Sequence, residues 1–195
     1  MYMVGGATPP LQPRIVAAAF QAATAVPLLI WIKQEGNNAM HIRRFQESDA
    51  PEVSALIVRT LRVSNTRDYP PEQMEALVKR MQPDDILGRA SWTHFYVAVE
   101  GDAIIGCGAI GPYWDRTDES SLCTIFVLPE WQGRGVGRRI VETLEADEYA
   151  LRARRIEIPA SITGLEFYRR LGYTFKNGNE KVDEEGLYRL EKLRQ

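Results

Sequence analysis

Residues 40–195 of this sequence predict one α/β domain, on three observations. Helix-like and strand-like apolar periodicities alternate along it in the order β-α-α-β-β-β-α-β-α-β-β. Glu100-Gly101-Asp102 is a tight-turn signature that joins two β-prone runs into a hairpin. No internal repeat or low-complexity tract breaks the pattern.

The elements follow in order. His41 to Phe45 alternates as a first strand. Ser48 or Asp49 then offers an N-cap, and Pro51 and Glu52 suit a first helical turn. Val53, Leu56, Ile57 and Leu61 come at helical spacing. Pro70-Pro71-Glu72 opens a second helix with Met74, Leu77, Val78 and Met81 on one face. His94 to Val99 and Ala103 to Ile110 are the hairpin strands. Gly111 to Glu119 reads as a polar loop and Leu122 to Leu128 as another strand, which Pro129 stops. A glycine-rich turn leads into a helix reaching about Leu151, with Ile140, Val141 and Leu144 on its buried side. Arg155 to Ile158 is a short strand. Ser161 to Leu171 is a short helix, with Gly172 as its left-handed stop. Tyr173-Thr174-Phe175 starts a strand, Gly178 to Gly186 is a charged loop, and Leu187 to Leu193 is the last alternating strand.

Composition narrows the function classes. The net charge of -2 supplies no basic field for nucleic acid or anionic lipid. The two cysteines, Cys107 and Cys123, lie in apolar runs without metal-ligand spacing, as buried thiols of a cytoplasmic protein do. His41 and His94 are isolated, so neither a structural metal nor a Cys-His nucleophilic pair is expected. Charge is unevenly spread: residues 1–39 carry only Arg14, Lys33 and Glu35. The uncharged run Ile15 to Ile32 would span roughly 27 Å as one helix, but Pro27 interrupts it and its first half is mostly alanine. Residues 1–39 are therefore expected to be a loosely ordered extension, or sequence upstream of a functional start at Met40. A membrane-tethering role for them is the alternative.

The chemistry concentrates in Pro129-Glu130-Trp131-Gln132-Gly133-Arg134-Gly135-Val136-Gly137, which runs from a strand end into a helix. A helix N-terminus has unpaired N–H groups and the positive end of the macrodipole, and glycines let that backbone approach a phosphate closely. The segment predicts a phosphate or pyrophosphate cradle, to which Arg134, Arg138 and Arg139 could add charge. It is not a P-loop, which would need a lysine and a hydroxyl after the glycines, and its GxGxG spacing departs from the dinucleotide fingerprint.

Gln132-Gly133-Arg134-Gly135-Val136-Gly137 resembles the (Gln/Arg)-x-x-Gly-x-(Gly/Ala) signature of the GNAT superfamily of acetyl-CoA-dependent N-acetyltransferases. Phe167-Tyr168-Arg169-Arg170-Leu171-Gly172-Tyr173 is similar to that family's Phe-Tyr-x-x-x-Gly-Phe segment. The resemblance covers residues 40–195 and none of 1–39. It implies an acyl-CoA N-acyltransferase fold, a mixed, mostly antiparallel twisted sheet flanked by helices. It also implies acetyl-CoA as acyl donor, no metal, a small-molecule or protein amine as acceptor, and the homodimers common in that family.

Residue roles follow from the same resemblance. Backbone amides of Gln132, Gly133, Arg134, Gly135, Val136, Gly137 and Arg138 would hold the CoA pyrophosphate. The main chain of Ile125, Phe126 and Val127 would pair with the pantetheine arm, and Tyr168 would protonate the leaving thiolate. Ser161 stands where many members have an asparagine for the pantetheine arm; as a residue, it is equally a plain helix N-cap. Helical spacing places Ser161, Leu165 and Tyr168 on one face. Some relatives carry a glutamate base on the strand before the glycine turn. Here that strand has no carboxylate inside, which makes Glu119 just before it the candidate base, with a water chain as the alternative. The acceptor is expected at Leu61 to Pro70 and Gly111 to Glu119, where Tyr113, Trp114 and Asp115 would suit an apolar amine carrying positive charge. A CoA-binding module without turnover is the competing class.

Overall fold

The computed structural model describes residues 39–194 except Asp115. Residues 1–38 of the expected extension, and the acceptor role given to Asp115, lie outside the described residues. Seven strands form one sheet: β1 (His41–Arg44), β2 (His94–Glu100), β3 (Ala103–Tyr113), β4 (Arg116–Val127), β5 (Arg155–Ser161), β6 (Thr174–Phe175) and β7 (Leu187–Leu193). Their order is β1-β2-β3-β4-β5-β7-β6. Every pairing is antiparallel except β4 against β5. The helices are α1 (Ala50–Val63), α2 (Pro71–Val78), α3 (Pro83–Ala90), α4 (Val136–Glu145), α5 (Glu148–Leu151) and α6 (Leu165–Arg170). This is the mixed, mostly antiparallel sheet flanked by helices that the sequence led us to expect.

Two cores sit on the sheet. α1 buries Val53, Leu56, Ile57 and Leu61 against Phe95 and Val97 of β2 and Cys107 and Ala109 of β3, with Met74, Val78 and Ile86 from α2 and α3 completing the cluster. α4 buries Ile140, Val141 and Leu144 against Ile105, Ile110, Leu122 and Ile156. Each such side chain contributes about 1.5–3 kcal/mol when fully buried. The approach of α4 to β3 depends on two glycines. A Cβ at Gly106 would lie 2.9 Å from Ile140 Cδ1, and one at Gly108 would lie 2.5 Å from Ile140 Cγ2.

Four elements differ from the sequence reading. α3 was not expected, because its eight residues bury only Ile86 fully, with Leu87 and Ala90 half-buried beside it, a stripe too short to read as a period. Its signal is local instead: Pro83 in the first turn, and a capping box in which Asp85 accepts from the Gln82 N–H at 2.9 Å. Gly111 to Glu119 is no loop. β3 runs on to Tyr113 and β4 starts at Arg116, so the two form a long hairpin that turns at Trp114, where φ is +48°. The helix expected to reach Leu151 breaks at Asp147, whose carboxylate caps α5 by accepting from the Tyr149 N–H at 2.9 Å. The last short helix starts at Leu165, which leaves Ser161 as the final residue of β5.

Candidate active site

The site begins with a gap in the sheet. β4 and β5 pair only at Glu119, Ser120 and Ser121, opposite Arg155, Ile156 and Glu157. Beyond that point β4 stays paired with β3 as far as Val127, and β5 stays paired with β7 as far as Ser161. Each strand keeps its outer neighbour and loses its inner one, so a cleft opens between them. The β3–β4 register shifts between Cys107 and Ala109, opposite Thr124, which has φ +53°. A β-branched residue in the left-handed region is strained. The Thr124 hydroxyl is also buried without a partner. Past this bulge, the Val127 carbonyl accepts from Thr60 Oγ1 at 3.2 Å and Gln132 Nε2 at 3.0 Å rather than from β3. A strand aims a residue's N–H to the same side as its C=O, so the Val127 N–H faces the open edge.

The glycine turn sits at the mouth of this gap. Gly133 and Gly135 have φ of +75° and +84°, and a Cβ on either would meet nothing within 4 Å. Left-handed backbone requires glycine there, and the space in front of the turn is open for a ligand's approach. Gly137 is a glycine for packing, since its Cβ would lie 3.1 Å from Phe167. The first bond within α4 runs from Arg139 N–H to the Gly135 carbonyl at 3.1 Å. The amides of Val136, Gly137 and Arg138 therefore have no partner inside the helix, as an anion site needs. Gln132 braces the turn: its Nε2 donates to both Val127 O and Ser64 Oγ, each at 3.0 Å.

Gap and turn belong to one cleft of about 970 Å³. Of the residues expected in the site, Ile125, Phe126, Val127, Gln132, Gly133, Gly135, Gly137, Arg138, Ser161 and Tyr168 line it. Tyr168 packs its ring edge-on to Phe167 and Tyr173. Burial alone raises its phenol above the ordinary tyrosine value, so the hydroxyl stays protonated and can donate a proton but not take one. Ser161 and Tyr168 reach the cleft from different elements rather than from one helix face. Ser161 Oγ accepts from the Gly164 N–H at 3.1 Å, closing the turn that feeds α6. Tyr69 shuts one end of the cleft: its hydroxyl donates to the Gly186 carbonyl and accepts from the Ile162 N–H, both at 2.8 Å.

Three expected site residues stand elsewhere. The Arg134 guanidinium lies over the Trp131 ring at 5.0 Å, and the Val136 side chain is in the core, which leaves their main chain alone at the turn. Glu119 is not in a loop beside the cleft. It lies inside β4, 4% exposed, held by Arg155 Nε at 3.0 Å and by Arg116 and Arg154 at 3.3 and 3.5 Å. Six residues separate it from Ile125, about 20 Å of strand. It is a structural ion-pair residue, and the assignment as base is withdrawn. The expected acceptor wall at Tyr113 and Trp114 is likewise corrected. Trp114 is 82% exposed at the hairpin tip, and the Tyr113 hydroxyl accepts from Lys176 Nζ at 3.0 Å. Neither lines the cleft, whereas Leu61, Ser64, Asn65 and Tyr69 do. Sequence reasoning missed Thr124, whose strain no residue pattern signals, and Arg80 and Arg89, which line the α2 and α3 side of the cleft.

Comparison with known proteins agrees with this geometry. The model of the acetyltransferase (GNAT) domain matches residues 91–175, from just before β2 to the end of β6. The uncharacterized N-acetyltransferase YafP of Escherichia coli K12 is 28% identical over 136 residues, 70% of this chain and 82% of that protein. The crystal structure of PaiA N-acetyltransferase from Thermoplasma acidophilum, in complex with coenzyme A, superposes with a TM-score of 0.69. It is 14% identical and covers 80% of this chain and 99% of its own. A GNAT family acetyltransferase from Brucella melitensis, in complex with acetyl-CoA, gives 0.54 at 24% identity, over 71% and 84% of the two chains. With both sequence motifs on one split-sheet cleft, these matches support membership of the GNAT acetyltransferase superfamily.

Proposed function

We propose that residues 40–195 form a catalytic domain that transfers an acetyl group from acetyl-CoA to a primary amine by direct attack on the thioester. The observation that carries this reading is the convergence on one cleft of three groups: the unpartnered amides of Val136, Gly137 and Arg138, the open edge of β4 at Val127, and the protonated Tyr168 phenol. The turn fits a pyrophosphate, because its glycines leave room and its amides lack partners. CoA supplies the activated acyl group; the protein's part is binding, orientation and proton delivery. In this reading the Val127 N–H donates to the carbonyl oxygen as charge develops on it. Tyr168 gives its proton to the departing sulfur.

Deprotonation of the amine falls to water. Glu166 and Glu185 are the carboxylates that line the cleft among the described residues, and both sit at its rim, 69% and 66% exposed. With no carboxylate on the inner wall, kcat/KM climbs with pH along the acceptor's own ionisation. Thiol release from acetyl-CoA, measured against a panel of primary amines with wild type and Tyr168→Phe, tests the reading. Turnover that collapses in Tyr168→Phe supports it. Binding of acetyl-CoA without turnover of any amine would overturn it in favour of a binding module. Among the described residues no helix is long and apolar enough to cross a membrane.

A further inference from the structure

The α2 and α3 side of the cleft holds an arginine that is partly withdrawn from water and has no acidic partner among the described residues. Arg89, on α3, is half-buried and lines the cleft. It lies near enough to Cys123, next to the Thr124 bulge, for its charge to oppose the rise that burial imposes on that thiol. Arg80, just past the end of α2, lines the same side. Neither forms an ion pair among the described residues. Glu75 is held by Arg62 at 2.6 Å, Glu185 by Arg189 at 3.5 Å, and Asp85 caps its own helix. Between the two arginines and the bulge, the wall is apolar, built from Met74, Leu77 and Met81.

We infer that the acceptor is a primary amine that also carries a carboxylate and an apolar body, with Arg89 and Arg80 receiving the carboxylate. This rests on the transfer reading above and replaces the cationic acceptor expected from Tyr113 and Trp114. A guanidinium gives a carboxylate paired, charge-assisted hydrogen bonds. A cationic acceptor would instead bring a third positive charge to a wall that already holds two. Cys123 lies four residues from Val127, about 13 Å of strand. An elongated acceptor with its carboxylate at Arg89 and its apolar body along the methionines can therefore bring its amine to the reacting end.

Matched acceptor pairs that differ only in the carboxylate test this: 6-aminohexanoic acid with pentylamine, and 8-aminooctanoic acid with heptylamine. The acid member should show the higher kcat/KM, by about tenfold or more, mainly through KM. Arg89→Gln should remove most of that preference, and Arg80→Gln part of it. A second measurement does not depend on turnover. N-acetyl-8-aminooctanoic acid should bind the CoA-loaded protein more tightly than N-acetylheptylamine, and Arg89→Gln should erase the difference. If no amine turns over but the acid still binds through Arg89, the transfer reading fails and the anion site stands. Equal treatment of both members in turnover and binding overturns the inference. So does an Arg89→Gln variant that raises KM for acetyl-CoA and leaves acceptor preference intact, since that would assign the arginine to the donor.

Discussion

The two ends of β4 are one strand doing opposite jobs. From Arg116 to Ser121 it is paired on both sides at its inner residues, and Glu119 is clamped by three arginines. From Leu122 to Val127 it keeps only β3, bends at a strained threonine, and exposes an edge. The contrast shows that the cleft is made by withholding a strand pairing, and that the paired end has to hold the sheet together while the other end stays open. Cross-strand hydrogen bonds and ion pairs at Glu119–Arg155 fix where β5 starts; the divergence beyond Glu157 then decides how wide the gap becomes. Charge in the paired half therefore holds the sheet together, and the open half leaves backbone unpaired at the cleft.

The sharpest break in that contrast should come from Tyr168→Phe. Loss of the proton donor should lower kcat by about a hundredfold, within the range for a positioned general acid, with little change in Tm. Because burial holds the phenol protonated above the ordinary tyrosine value, wild-type kcat should not fall as pH approaches 10.0, where an unperturbed tyrosine loses its proton. Glu119→Gln tests the other half. It should cost about 2 kcal/mol of stability, seen in urea unfolding, by leaving Arg155 without its main partner, and kcat should stay near wild type. A collapse of kcat at full stability would return Glu119 to the chemistry.

Two smaller effects refine the boundary between the halves. Gly135→Ala puts a Cβ on left-handed backbone at the ligand face, so KM for acetyl-CoA should rise about tenfold with a stability loss of about 1 kcal/mol. Thr124→Gly should be the mildest. Relief of the left-handed strain and of the unpartnered hydroxyl offsets the entropy glycine adds to the unfolded chain, leaving a net change within about 1 kcal/mol. A large loss of Tm there would mean that the bulge is held by the threonine side chain rather than by the strands around it.

Much of the open half was legible in the residues. Three alternating glycines before an apolar helix mark a turn whose backbone must approach something, and Gly133 and Gly135 do have positive φ. Tyr168 was found by its motif and stands on the cleft wall. The paired half was misread, since Gly111 to Glu119 is polar and contains Gly111 and Pro112, which mimic a loop. Its strand character comes from partners that are distant in sequence: Pro112 sits opposite Ser120, and Glu119 opposite Arg155. Helix α3 escaped because one buried isoleucine, with Leu87 and Ala90 half-buried beside it, is too short a stripe to read as a period. Arg80 and Arg89 carry no signal in sequence, since a solvated arginine and one facing a cleft look the same.

The sequence by itself determined the elements with strong local reasons: the stripe of α1, the stop at Gly172, the glycine cradle and the phenol. Local periodicity, φ restriction and backbone donors are properties of short segments, so they can be read without a fold. Tertiary structure alone decided which charges are locked in ion pairs and which face the cleft. Nothing in the residues flanking Glu119 and Arg89 tells their roles apart. Only the packing shows that the first is neutralised by three guanidinium groups at the closed end of β4. It also shows that the second faces the cleft beside the Thr124 bulge without an acidic partner among the described residues. The energy of a charge depends on the solvent and partners around it, and those are set by contacts between residues far apart in the chain.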